Sequence, residues 1–108
     1  MIKILKVQIS KDIQLLLGTA VEILVFLNTD KPTSVTIKIE DPGGSIKISS
    51  ANMTRVNSKI YNYIYQSTSS DLDGTYTVTV SVSNGGYTAV KQDNFDMLEQ
   101  DYWRLNYG

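Results

Sequence analysis

The feature that most limits how this chain can fold is a strict two-residue alternation, broken at short intervals by turn residues. In "TYTVTVSVS", Thr75 to Ser83, every second residue is large and apolar: Tyr76, Val78, Val80 and Val82. The residues between them are Thr and Ser. Successive side chains of a strand point to opposite faces, so this segment can bury one face and wet the other. A helix, with about 3.6 residues per turn, would scatter the same residues around its surface. Asn84-Gly85-Gly86 follows, the chemistry of a tight hairpin turn, and Tyr87 to Leu98 reads as the returning strand.

The same grammar covers the rest of the chain. In Thr19 to Leu27, Val21, Ile23, Val25 and Leu27 share one face, while Leu24 and Phe26 share the other. A strand apolar on both faces is expected to be covered on both sides. Ser34 to Glu40 alternates with Val35, Ile37 and Ile39 inward and Thr36, Lys38 and Glu40 outward. Asp41-Pro42-Gly43-Gly44 is a turn, after which Ser45 to Ser49 returns with Ile46 and Ile48. Met53 to Asn57 reads as a short connection. Lys59 to Gln66 places Tyr61, Tyr63 and Tyr65 on one face and Ile60 and Ile64 on the other.

At the N-terminus, Ile2 and Ile4 lie on one face of a first strand ending at Ile9, and Leu5, Val7 and Ile9 on the other. That switch near Leu5 predicts a bulge or a change of sheet. Gln14 to Leu17 is expected to pair briefly. Strands recurring at intervals of roughly 8–12 residues, with no helical spacing between them, predict an all-β, antiparallel two-sheet sandwich. About seven strands suit the immunoglobulin-like form. Residues 1–98 would form this domain and residues 99–108 a tail. The predicted core contains Val21, Ile23, Val25, Val35, Ile37, Tyr76, Val78 and Val80.

Composition narrows the chemistry. The 108 residues contain no Cys and no His. That removes disulfides, thiol catalysis, Ser-His triads and zinc sites of the usual ligands. Net charge is −1, so no global field draws the chain to nucleic acid or an anionic membrane. The charge is split, with eight Lys/Arg and five Asp/Glu in residues 1–59 and two Lys/Arg and six Asp/Glu in residues 60–108. Two complementary poles could orient copies that meet head to tail; ordinary scatter over a solvated surface gives the same count. The longest apolar run, Ile23 to Leu27, is too short to cross a bilayer. The first residues lack the apolar core and cleavage site of a signal peptide.

The stretch "DGTYTVTVSVSNGGYTAVKQDNFDM" resembles the penultimate hairpin of microbial and viral immunoglobulin-like domains of the macroglobulin or carboxypeptidase-regulatory type. In those, Gly-x-Tyr opens one strand and an aromatic closes the next; Gly74, Tyr76 and Phe95 match here. A Tyr near this point often forms a tyrosine corner. The acidic residue usual four positions earlier is replaced by Leu72, and the Cys usual two positions later by Val78. The chain is therefore not of the antibody type. The resemblance spans roughly residues 19–98 and implies an immunoglobulin-like sandwich. By analogy with small virion proteins of phages and archaeal viruses, it further implies a structural protein assembled in a host cytoplasm.

Candidate chemistry is sparse. Asp71 and Asp73, with Asp93 and Asp96, resemble a fragment of a calcium loop, against the plainer reading of a turn in which Asp71 or Asp73 bonds its own backbone. Tyr61, Tyr63 and Tyr65 could form a stacking platform, against the plainer reading of core side chains. Asn52-Met53-Thr54 matches a glycosylation acceptor, which the lack of a leader makes a chance match. With no nucleophile elbow and no catalytic base, no enzyme and no cofactor are expected. The tail carries Tyr102, Trp103, Arg104, Leu105 and Tyr107, residue types enriched where proteins meet. Those five are the predicted interface, with other protein subunits or a second copy as partner. The alternative is a recognition module on a microbial surface, part of a larger protein, that binds glycan or protein. Folding of the tail back onto its own sandwich is equally open.

Overall fold

The computed structural model describes residues 2–9, 15–29 and 32–99. They form nine strands: β1 (Ile4–Ile9), β2 (Leu15–Leu16), β3 (Ala20–Leu27), β4 (Ser34–Glu40), β5 (Ile46–Asn52), β6 (Thr54–Asn57), β7 (Ile60–Gln66), β8 (Gly74–Asn84) and β9 (Tyr87–Leu98). One sheet has the order β1-β3-β7-β6 and the other β2-β9-β8-β4-β5. This is the strand order of an immunoglobulin-like sandwich, extended at one edge by β5. The all-β expectation holds, and each long strand predicted from alternation is present. The two additions to the expected seven are β2 and β6. Gln14 to Leu17 was expected to pair; Leu15 and Leu16 do, but in parallel with Met97 and Leu98 of β9. The supposed connection after Met53 is itself a strand, paired with β7.

Every predicted core residue is buried, with Val21, Ile23, Val25, Tyr76, Val78 and Val80 fully so. The alternation of β4 and β8 is met by an in-step register, Val35↔Val82, Ile37↔Val80 and Ile39↔Val78. Inward faces therefore stack side by side and the hydroxyl-bearing faces remain outside. In β1 the register shifts between Ile4 and Lys6. Leu5 is extruded and exposed by this bulge, and Ile2, Ile4, Val7 and Ile9 all reach the core. The bulge thus reconciles the two faces read from the sequence by taking Leu5 off the buried one.

The expectation that β3 is covered on both sides is corrected. Leu24 and Phe26 are only half-buried, because the second sheet packs against the Val21–Ile23–Val25 face alone. On edge strand β5, Ile46 is exposed and Ile48 half-buried.

The Tyr76 hydroxyl donates to the Leu72 carbonyl at 2.7 Å. This is a tyrosine corner, and Leu72 in place of an acid does not weaken it, because the acceptor is the backbone. The Tyr76 ring stacks on Phe95 at 5.4 Å between centroids and lies 6.2 Å from Tyr65. The Gly, Tyr and aromatic that carry the family resemblance therefore build one end of the core. Gly74 has φ of 124°, and a Cβ there would sit 3.0 Å from Pro42 Cγ. Only glycine meets both conditions without strain.

Candidate interaction surface

The acidic residues proposed for calcium do not converge. Asp71 Oδ2 accepts from the Thr68 N–H at 2.9 Å, and Lys47 Nζ lies 2.9 Å from Asp71 Oδ1. The Thr68 N–H first, and then Lys47, hold the Asp71 carboxyl below its usual range. Asp96 Oδ1 accepts from the Thr75 hydroxyl at 2.7 Å, and Asp93 Oδ1 from the Asn94 N–H at 2.8 Å. Asp73 is exposed in the β7–β8 loop. Among the described residues no three acidic, His or Cys side chains form a group able to hold a metal. Asp71 is instead a structural tie between the β7–β8 loop and β5.

The three tyrosines divide. Tyr61 and Tyr65 are buried and Tyr63 is half-buried, across from Val25, Val21 and Ile23 respectively. They belong to the inward face, which leaves no stacking platform. Burial pushes the Tyr65 hydroxyl above its ordinary pKa and pushes Tyr76 up to about 12. Of the acceptor motif, Asn52 is exposed at the end of β5 and Met53 is buried. A shallow depression of about 250 Å³ lies where Pro32 to Val35 meet Asn52, Met53 and Tyr61. Among the described residues no Asp, Glu, Lys or Arg lines it. Tyr102, Trp103, Arg104, Leu105 and Tyr107 lie outside the described residues.

Two surfaces went unnoticed as candidates in the sequence. The first is the outer face of the four-stranded sheet. There Phe26 pairs with Ile60, Leu24 with Asn62, and Glu22 with Ile64, so the apolar residues run obliquely across β3 and β7. Ile64 is 59% exposed, while Leu24, Phe26 and Ile60 are half-buried. Lys6 Nζ sits 5.7 Å from the Phe26 ring centroid, and Asn62 donates to Glu22 at 3.2 Å. Polar groups thus rim an apolar strip, the composition expected of a contact patch. Its signal was in the chain: Leu24 and Phe26 were apolar, and no amphipathic helix was available to cover them. The second surface is the edge of β9, which among the described residues pairs with another strand only at Met97 and Leu98, and where Tyr87 and Val90 are each 60% exposed.

The sandwich is similar to that in the crystal structure of CopC from Methylosinus trichosporium OB3b. The TM-score is 0.61 with 13% identity, covering 93% of this chain and 96% of that one. It is also similar to a portion of the endo-beta-1,4-mannanase from Thermotoga petrophila, with a TM-score of 0.57 and 16% identity. That match covers 88% of this chain and 20% of the enzyme. At such identities the likeness is one of fold. No protein-family model and no curated protein matches the chain. The chain is thus a small β-sandwich domain of immunoglobulin-like type. Neither neighbour is described as a virion protein, so the viral part of the sequence resemblance gains nothing from them.

Proposed function

We propose that this domain is a non-enzymatic structural or assembly module that works by contact with other protein subunits. The observation that carries this reading is the apolar strip of Leu24, Phe26, Ile60 and Ile64 on the outer face of the four-stranded sheet, which no layer of the described residues covers. Isolated exposed apolar residues are ordinary, but a contiguous strip with a polar rim marks a place where proteins meet. The aromatic residues of the tail, Tyr102, Trp103, Arg104, Leu105 and Tyr107, would add hot-spot side chains to such a contact. Within this class, a virion component (capsid decoration, neck or tail) rests on sequence resemblance alone.

A second reading, a glycan- or protein-recognition module, draws on the outer face of the other sheet. There Thr77, Thr79, Gln92 and Asn94 form a flat array of hydroxyls and amides on neighbouring strands, with Gln92 Nε2 donating to Thr79 Oγ1 at 3.1 Å. The experiment that separates the two is the mass of the protein isolated from its source, measured by light scattering. Assembly predicts a particle several times the 12.1 kDa of one chain. A lone 12.1 kDa species that binds glycans on an array would refute assembly and support recognition.

A further inference from the structure

Among the described residues, each edge of the sandwich except one is shortened or interrupted by a bulge. β1 carries the Leu5 bulge, β6 is four residues long with a register shift, and β5 has two shifts and a positive φ at Ser50. Bulges and short edges are the usual protection against pairing with another chain. β9 lacks them. It runs twelve residues without Gly or Pro, and its register with β8 is unbroken from Gly74↔Met97 to Asn84↔Tyr87. Among the described residues, its far side pairs with a strand only at Met97 and Leu98, although β1 of the other sheet also packs close to it.

The pairing parity of that edge follows from the turn. Asn84↔Tyr87 flanks the two-residue turn Gly85-Gly86, so this pair exchanges both main-chain bonds, and bonded pairs alternate from there. Odd-numbered residues of β9 bond β8. Even-numbered residues direct N–H and C=O to the open edge. The Leu98 carbonyl confirms the parity, since it accepts from the Leu17 N–H at 2.8 Å on that side. Thr88, Val90, Gln92 and Asn94 therefore offer main-chain groups outward.

Two charges lie on the core-facing side of this edge. Lys91 pairs with Val80 and Asp93 with Val78, both inward-facing residues of β8. Lys91 is exposed and Asp93 half-buried, and neither forms an ion pair with another side chain among the described residues. Inward charges at an edge repel most incoming strands. They also define the one strand that would suit them: an antiparallel one carrying Asp opposite Lys91 and Lys opposite Asp93.

We propose that this strand is β9 of a second copy, paired antiparallel about a two-fold axis at Gln92. This deepens the assembly reading above and rests on it. In this register Gln92 faces the partner's Gln92 as a bonded pair, in keeping with the parity. Val90 faces the partner's Asn94, and Lys91 faces the partner's Asp93 on both sides of the axis. Ala89 falls opposite the partner's Phe95, small against large. Moving the axis by one residue sets Lys91 against Lys91 or Asp93 against Asp93, so the same two charges that fix the correct register penalise its neighbours. The local bond from the Asn94 N–H to Asp93 is replaced by one to the partner's Val90 carbonyl, which frees the carboxylate for the partner's Lys91.

The test is sedimentation of the full chain and its charge variants over a concentration series at low salt. Wild type should dimerise, and added salt should weaken the dimer. Lys91→Asp and Asp93→Lys should each weaken it by roughly tenfold or more, because two attractive pairs become two repulsive ones. An equimolar mixture of the two variants should restore dimers, as should the double swap in one chain. As a second route, Gln92→Pro removes an outward N–H without touching the β8 ladder. It should abolish the dimer while leaving monomer melting close to wild type. A wild-type chain that stays monomeric, or a dimer indifferent to Lys91→Asp and unrescued by mixing, overturns the proposal. If the native complex is nonetheless heavier than one chain, β9 self-pairing fails while assembly stands. If the native protein is also a lone monomer, both fail.

Discussion

Replacing Tyr76 with Phe isolates the tyrosine corner. The ring stays, with its stack on Phe95 and its contact with Tyr65, and only the hydroxyl bonded to the Leu72 carbonyl at 2.7 Å is lost. Leu72 is in an exposed loop, so water can reach the freed carbonyl, and the cost is that of one net hydrogen bond, about 1–1.5 kcal/mol. For a chain of 108 residues the unfolding entropy makes this a fall in melting temperature of roughly 4–7 °C. Thermal unfolding followed by circular dichroism reads it directly. Tyr61→Phe is the control: Tyr61 is as aromatic and nearly as buried, but no hydrogen bond holds its hydroxyl among the described residues. It should change stability by under about 0.5 kcal/mol. A Tyr76→Phe melt within about 1 °C of wild type, or an equal fall in Tyr61→Phe, would show that this bond does not stabilise the fold. The same bond has an alkaline signature. Burial pushes the Tyr76 hydroxyl up to about 12, so the folded chain keeps a proton that the unfolded chain loses near 10. Stability is therefore full below about pH 10 and falls toward pH 12, and Tyr76→Phe should flatten part of that fall. Tyr65, also raised by burial, keeps the remainder.

Val78→Asp places a charge at a fully buried site facing Ile39 and should cost about 4 kcal/mol or more, so a soluble, fully folded mutant would overturn the register. Asp71, held low by the Thr68 N–H and Lys47, stabilises the fold above its usual titration range and loses that contribution as pH falls through its lowered folded value. Urea midpoints at neutral and acid pH should accordingly show a smaller acid loss for Asp71→Asn than for wild type. Gly74→Ala forces a Cβ at φ 124° toward Pro42 and should destabilise by roughly 1–3 kcal/mol in chemical denaturation. Deleting residues 100–108 should reduce assembly in light scattering while leaving the monomer's melting temperature nearly unchanged; a much lower melt with unchanged assembly would assign the tail to the domain's own core.

Which residues share a face is legible in the chain alone. Alternation set the inward rows Val35-Ile37-Ile39 and Tyr76-Val78-Val80-Val82, and Asn84-Gly85-Gly86 set the β8–β9 register, because both are local consequences of strand geometry and turn backbone. The bulge at Leu5 was legible for the same reason: a face switch within one strand has few other causes. Beyond such tight hairpins, local pattern carries no information about which strand lies beside which. The β2–β9 pair joins Leu15 to Met97, and only packing of the finished sandwich brings them together. That placement also leaves β5 as an edge, so Ile46 and Ile48 cover less core than their apolar character suggested. It leaves Leu24 and Phe26 on a face with no covering layer among the described residues, although their strand reads as doubly buried. The tyrosine corner divides between the two levels. Tyr76 and the missing acid at position 72 are visible in the chain, and only the path of the β7–β8 loop shows the backbone carbonyl of Leu72 to be the hydroxyl's partner. The charges at Lys91 and Asp93 are likewise two ordinary polar residues in one dimension. Tertiary structure puts them on the inward side of the long β9 edge, next to Val80 and Val78 of β8.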